Sequence, residues 1–294
     1  MAISPQGISI KGPEPRCPDT TQYGLLSAIE PTPNVDPHWM AAGIEWESFL
    51  CSPGVTGFID ECPPATGYTK PIERTTQFCH ADPFVLVGSY QCPPVGRQAD
   101  EAFEIARQRL LKWEGRQLER TLWTGEVANG TGFVNPSFAY GNEECGIEPV
   151  DLTPGGGALD PVGAIAALEA ALGDTVGCGV IHVPYGMAAY LQALHLLERD
   201  GESYFTSTGF QVILGHGYPG SGPANAPPAA GEMWLFGTGP LVMVRSNLMQ
   251  IPENIQEGMN RLINDVEVRA ERFYAVGFSC SLFAVRSTLT WCCG

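Results

Sequence analysis

Five histidines and ten cysteines hold most of the chemistry open to this 294-residue chain. A metal site would draw on His38, the Cys79-His80 pair, His182, His195, His216 and scattered cysteines. Zinc knuckles need cysteines a few residues apart, and a helical site needs His-x3-His, because the ligands must converge on one ion. Neither spacing occurs. The cysteines lie at 17, 51, 62, 79, 92, 145, 178, 280, 292 and 293, without a CxxC pair. No metal and no cofactor is expected. His195 falls beside the apolar stripe of a predicted helix and reads as a satisfied structural histidine.

Two further patterns resemble catalytic motifs and fail on context. Gly215-His216-Gly217-Tyr218-Pro219-Gly220 matches GxGxxG and follows a predicted strand. The prolines at 219, 223, 227 and 228 forbid the helix whose N-terminus would hold a pyrophosphate, so the stretch reads as a long loop. Gly277-Phe278-Ser279-Cys280-Ser281 lacks the second glycine of a nucleophile elbow and lies within a predicted strand. A serine or cysteine nucleophile has no evident partner, and no enzyme activity is assigned.

The elements that would position any site begin with Ala99–Trp123, which the spacing predicts as one long amphipathic helix. Phe103, Ala106, Leu110, Trp113, Leu118 and Leu122 mark its apolar face. Asp100, Glu101 and Glu104 open it and five cations follow, an order that suits the helix dipole; Gly125 caps its end. Before it, residues 1 to about 45 carry prolines at 5, 13, 15, 18, 31, 33 and 37 and read as an extended arm, with Trp39, Ile44, Trp46 and Phe49 as anchors. Residues 51–94 alternate turn signals with β-prone runs at Thr75–Phe78 and Phe84–Tyr90, predicting a projecting two-stranded loop.

Beyond the helix, Asp160-Pro161 opens a second helix, Gly179–Val183 is a buried strand, and Pro184 starts a third helix. A strand at Phe210–Leu214 follows, then a hairpin of Met233–Phe236 and Leu241–Arg245. From Leu262 to Ala270, Leu262, Val266, Val268 and Ala270 alternate with polar residues, the period-two pattern of a strand with one charged face. Phe278–Leu289 is the last β run.

Composition narrows the class. Charged residues are only 16% of the chain, below the usual quarter, and Gly and Pro make up about a fifth. So sparse a charged surface fits coverage by neighbouring subunits. The net charge is −16 with three lysines, Lys11, Lys70 and Lys112, which excludes a phosphate-gripping, sequence-specific nucleic-acid binder. No signal-peptide core or membrane span is evident, so the expected compartment is the cytoplasm, where thiols stay reduced. The cysteines are accordingly expected to be free and buried, with disulfides as the alternative after release into an oxidising medium.

The order of parts resembles the major capsid proteins of tailed bacteriophages, the Hong Kong ninety-seven-type shell fold. EGMNRLINDVEVRAERFYAVGFSCSLFAVRSTL is similar to that family's terminal segment, in which an alternating strand leads into a Glu-Arg pair, here Glu271-Arg272, and a last strand. GVIHVPYGMAAYLQAL resembles its strand–Pro–helix step, and GEMWLFGTGPLVMVRSN a hairpin of the same domain. The resemblance runs through about 250 residues as an ordered series.

It implies an α+β fold divided into an N-terminal arm (1–46), an extended loop (47–97), a peripheral domain with the spine helix (98–150), an axial domain (151–274), and a C-terminal strand (275–294) returning to the peripheral domain. It further implies hexamers and pentamers of an icosahedral shell, assembled in a bacterial host's cytoplasm around double-stranded DNA that is not contacted sequence-specifically. Scaffold, portal and decoration proteins are the implied partners, with no membrane. There is no charged, helical N-terminal segment of the kind that serves some members as a fused scaffold.

By the same resemblance, assembly contacts fall on Trp39, Trp46 and Phe49 of the arm and on Lys70, Glu73, Arg74 and Phe84 of the loop. Arg107 and Arg116 of the spine helix and Glu267, Arg269, Glu271 and Arg272 of the terminal strand complete the set. Some members join Lys to Asn by an isopeptide bond promoted by Glu, for which Lys70, Asn264 and Glu271 are the candidates here. An encapsulin-like compartment of the same fold is the alternative, against which the Pro-rich arm argues. An α+β enzyme of unrelated fold is the third reading.

Overall fold

The computed structural model describes residues 24–48, 51, 77–92, 99–126, 135–175, 178–253, 259–260 and 265–289. Phe49, Lys70, Glu73, Arg74 and Asn264, with residues 1–23 of the arm, lie outside them. In chain order the first elements are α1 (Leu25–Ala28), β1 (Thr32–Val35), α2 (Pro37–Met40), β2 (Ile44–Ser48), β3 (Gln77–Ala81), β4 (Phe84–Cys92) and α3 (Ala99–Thr124). Then come β5 (Val150–Asp151), α4 (Pro161–Thr175), β6 (Val180–Pro184), α5 (Tyr185–Ala193), β7 (Glu198–Asp200), β8 (Ser203–Phe205) and β9 (Gln211–Gly215). The last are β10 (Glu232–Thr238), β11 (Leu241–Ser246), β12 (Met249–Ile251), β13 (Met259–Asn260), β14 (Asp265–Phe278) and β15 (Leu282–Thr288). The class is α+β, as the resemblance implies.

The spine helix α3 forms where the periodicity places it. Gly125, at φ +67°, ends it in a left-handed cap, its N–H donating to the Thr121 carbonyl at 2.9 Å. The buried stripe differs from the predicted one. Ala102, Ala106, Leu110, Glu114, Leu118 and Leu122 recur every four residues and are buried, whereas Trp113 is 53% exposed. A carboxylate thus holds the place expected of an indole, which is possible because Arg272 meets it from the sheet below.

That sheet runs β1-β11-β14-β12, with β4 and β13 also paired to β14. β14 alternates as predicted. Val266, Val268 and Ala270 turn inward beneath α3, and Glu267 and Arg269 turn out. Gly88 of β4 lets the strand approach the helix, since a Cβ there would strike the Ala106 carbonyl.

A seven-stranded sheet, β5-β15-β10-β6-β9-β8-β7, carries α4 and α5 on one face. Ile165, Leu168 and Leu172 of α4 and Met187 and Leu191 of α5 pack there on Ile181, Val183, Val212, Leu214, Leu235, Phe283 and Val285. The Asp160 carboxylate accepts from the Gly163 N–H at 2.7 Å, the N-cap expected ahead of Pro161. The opposite face packs Val180, Ile213, Phe236 and Ala284 into the cluster that holds Leu118, Trp123 and Phe138. Covered on both sides, β6 and β9 pair in parallel and read as continuous apolar runs.

Several expectations are corrected. The runs at 75–78 and 84–90 do not pair with each other: β3 pairs with β2, and β4 pairs with β14. Strands β10 and β11 are not a hairpin but enter different sheets. The last strand, β15, lies beside β10 in the seven-stranded sheet and does not return to the sheet of the spine helix, because Phe283 and Val285 are needed against α4. One cause underlies the last two. β10 and β11 run as one ribbon against β14 and β15, Thr238 facing Leu282 and Leu241 facing Phe278, and the ribbon bends between the sheets. At the bend Gly239 N–H donates to the Ser281 carbonyl, Ser279 N–H donates to the Pro240 carbonyl, and Cys280 takes φ +70°. The third helix also stops at Ala193, short of Leu197, with His195 at φ +55° in the turn that follows.

Candidate assembly surface

The outward face of the β4–β14–β12 sheet gathers most of the charged residues singled out on the terminal strand. Register sets Val85 opposite Phe273, Val87 opposite Glu271, Ser89 opposite Arg269 and Gln91 opposite Glu267. On the other side of β14, Met249 faces Glu271 and Ile251 faces Arg269. Side chains at these positions share one face of the pleat. Val85, Val87 and Ile251 are exposed there, Val87 at 48%. Glu267 and Arg269 form an exposed ion pair at 2.8 Å. Apolar strips flanked by charges of both signs make a surface that a neighbouring chain can cover without burying unpaired charge.

The other face of the same strand is committed to the interior. Arg272 donates from Nη1 to both Glu114 carboxylate oxygens, at 2.7 and 2.9 Å, and the Tyr274 hydroxyl donates to the same carboxylate at 3.0 Å. Burial, then the Glu114 charge, pushes Tyr274 up to about 12. Phe84 is buried and stacks on Tyr274 with centroids 6.3 Å apart. Phe84 and Arg272 are therefore used inside the subunit, not presented to a neighbour. Alternation explains the split, since from Val266 to Tyr274 the even-numbered residues face the helix and the odd-numbered ones face out.

On α3, Arg116 lies over the exposed Trp113 ring at 5.4 Å and Arg107 pairs with Glu104 at 3.0 Å, both on the solvent side. Trp46 of β2 packs on Gly277, where a Cβ would meet its ring, and its Nε1–H donates to Ser279 Oγ at 2.8 Å. Trp39 falls within α2, capped by the Asp36 carboxylate, which accepts from the His38 N–H at 2.8 Å. The opposite strand β3 exposes Phe78 at 69%.

Residues that might have done chemistry are dispersed or put to structural use. His182 is buried between Tyr218 and Thr238, its ring nitrogens 2.9 Å and 3.0 Å from their hydroxyls, and burial pulls it down to about 3. His216 stacks on Tyr185, His80 lies 3.2 Å from Asp82, and among the described residues no group of three metal-ligating side chains forms. The GxGxxG stretch is a loop, as read. Gly217 is needed because a Cβ there would strike the Arg116 carbonyl of α3.

Glu119 accepts from the Leu25 N–H at 2.9 Å and the Gly217 N–H at 2.8 Å, so one carboxylate ties α1, α3 and this loop together. Burial raises it to about 7 against the lowering by these backbone donors. No motif pointed to it. Four cysteines expected free are paired: Cys51 with Cys280 and Cys79 with Cys145, with Cα atoms 4.6 and 4.8 Å apart. Cys178 is an exposed thiol. No helix among the described residues is long and apolar enough to cross a membrane.

No protein-family model and no curated protein matches the sequence. Solved structures match it nearly end to end. The capsid of an empty GTA particle aligns with 97% of this chain and 95% of its own, at TM-score 0.55 and 12% identity. A chain from Microbacterium phage Oxtober96 aligns over 96% of both, at TM-score 0.52 and 12% identity. A chain from Mycobacterium phage Bobi covers 94% of this chain and 89% of its own, at TM-score 0.51 and 13% identity. The fold is thus the phage capsid type implied by the resemblance.

Proposed function

We propose that this chain, having the phage capsid fold, is the structural subunit of an icosahedral shell built from its own hexamers and pentamers. The observation that carries the reading is the alignment with a GTA capsid chain over nearly the full length of both. A match limited to one sheet and helix would carry far less, because small α+β units recur in unrelated proteins. The mixed apolar and charged outer face of β4, β14 and β12 supports it, being suited to cover by a second copy. By the same reading the arm (1–46), extended loop (47–97), peripheral (98–150) and axial (151–274) divisions describe how the subunit is laid into the shell, with β4, β11, β12 and β14 set in the sheet that carries the spine helix.

The contents are those the resemblance implies, and the charge suits them. With a net charge of −16 and three lysines, the shell would enclose double-stranded DNA without gripping it, leaving the duplex free to slide. Assembly would take place in the bacterial host's cytoplasm, with scaffold, portal and decoration proteins as partners. Covalent joining of Lys70 to Asn264 beside Glu271 belongs to the same reading. It calls for subunit multimers that survive boiling in SDS and reductant; a clean monomer band removes it.

The deciding experiment is the mass and shape of the purified chain, by light scattering and negative-stain microscopy. Rings or closed shells of megadalton mass are expected. A compact monomer whose residues 1–23 and 52–76 both resist protease after reduction would overturn the reading, because those stretches would then be packed on their own subunit.

A further inference from the structure

The two disulfides bracket one stretch of chain. Cys51 stands just before residues 52–76, and Cys79, in β3, stands just after them. Their partners lie in two different parts of the body. Cys280 is in the bend between β14 and β15, and Cys145 ends the 3₁₀ turn Glu143–Cys145. One side chain touches both partner corners. Gln77 Oε1 accepts from the Cys280 N–H at 2.9 Å, and Gln77 Nε2 donates to the Cys145 carbonyl at 2.7 Å. Between the bridges, β2 and β3 pair in register from Ile44–Ala81 to Ser48–Gln77.

We propose that Cys51–Cys280 and Cys79–Cys145 form a redox-operated clamp that fixes the paired strands β2 and β3 to the body of the subunit. Three of the four cysteines, Cys51, Cys145 and Cys280, are only half-buried, so small thiols and disulfides reach each bridge from at least one side. In a reducing compartment the clamp is open, and the hairpin is held by Trp46 on Gly277, the Trp46–Ser279 hydrogen bond and Gln77. In an oxidising one it shuts.

Each bridge closes by exchange with a low-molecular-weight disulfide. One cysteine thiolate attacks a sulfur of the small disulfide and expels a small thiolate. The second cysteine thiolate then attacks the mixed disulfide and expels the other. Two protein thiols are oxidised to one S–S bond, and the small disulfide is reduced to two thiols, which take up the two protons. The clamp needs no second copy of the chain, so it stands or falls separately from shell assembly.

The test uses the full chain equilibrated either with oxidised glutathione or with dithiothreitol. Free thiols are alkylated and mapped by mass spectrometry, and backbone amide hydrogen exchange in β2 and β3 is timed. Oxidised chain should yield the linked peptide pairs 51/280 and 79/145, and exchange in β2 and β3 should run about tenfold or more faster after reduction, because exchange tracks the population of the opened strand pair. A variant with Cys51→Ser and Cys280→Ser should exchange fast in β2 and β3 in both media, while Cys178→Ser should behave as the parent. Should the double variant not fold, reduction of the parent chain and a Cys79→Ser, Cys145→Ser variant give the same comparison. Alkylated Cys51, Cys79, Cys145 and Cys280 in the oxidised chain, or equal exchange rates of β2 and β3 in both media, would overturn the clamp.

Discussion

Arg272 and Glu114, 158 residues apart in sequence, meet through two hydrogen bonds beneath the middle of the spine helix. The side chains are 13% and 8% exposed, and the Tyr274 hydroxyl completes the carboxylate's shell. Such a pair is costly to break from one side only. Arg272→Ala leaves Glu114 charged and alone under α3 and should destabilise the subunit by about 3–5 kcal/mol. Replacing both together, Arg272→Met with Glu114→Leu, should cost much less, since apolar side chains of similar volume restore the stripe. Urea unfolding of the two variants at neutral pH measures the contrast. Equal losses in both would mean that volume, not charge, governs the site.

Glu119 makes stability fall toward neutral pH. Its native value of about 7 lies above the ordinary 4.5, so the folded state binds the proton more tightly than the unfolded chain does. Its contribution is therefore full below pH 4.5 and is lost as pH rises through 7, about 3 kcal/mol over that window. Glu119→Gln should flatten this part of the profile while weakening the tie to Leu25 and Gly217. Unfolding midpoints read at pH steps from 4.5 to 8 decide it, and a variant whose profile runs parallel to the parent's would contradict the assignment.

His182 acts in the opposite direction. Burial lowers it from 6.5 to about 3, so the folded state resists the proton that the unfolded chain accepts. Stability is then full above pH 6.5 and is lost as pH falls toward 3, by about 4–5 kcal/mol across the whole interval. His182→Gln, which can still bond Tyr218 or Thr238, should be less stable at neutral pH and less sensitive to acid. Since Glu119 and His182 tilt the profile in opposite senses between pH 4.5 and 6.5, the single variants are needed to see either slope. An undiminished acid transition in the His182 variant would exclude it as the source.

The sequence disclosed local order well and long-range pairing poorly. The helix Ala99–Thr124 was legible because it carries its signal internally, in its period, its acidic start and Gly125. The mixed face of β14 was legible for the same reason. That Glu114 and not Trp113 lies in the buried stripe was not, because the cation that permits it lies in another element. The apparent hairpin of β10 and β11 misled because a turn at Gly239-Pro240 looks alike whether the strands pair with each other or pass into two sheets. The bridge from Cys51 to Cys280, 229 residues apart, leaves no trace in local spacing. Of the surface residues, alternation along β14 identified the outward Glu267, Arg269 and Glu271, while Phe84 and Arg272 required knowing which side α3 covers.

That outward face gives the sharpest test of assembly. Val85 and Val87 are exposed on β4 at 39% and 48%, and register places them beside Phe273 and Glu271. Charges at exposed positions cost the isolated subunit little, within about 0.5 kcal/mol. The same charges buried against a neighbour would be desolvated, at several times that cost per contact, and a shell repeats the contact in every subunit. Val85→Lys with Val87→Arg should therefore abolish rings and shells in negative stain while leaving the subunit's unfolding midpoint nearly unchanged. Arg269→Ala, which breaks only the exposed pair with Glu267, should weaken assembly modestly. Shells of normal size and yield from the double valine variant would mean that this face stays open to solvent and that the subunits meet elsewhere.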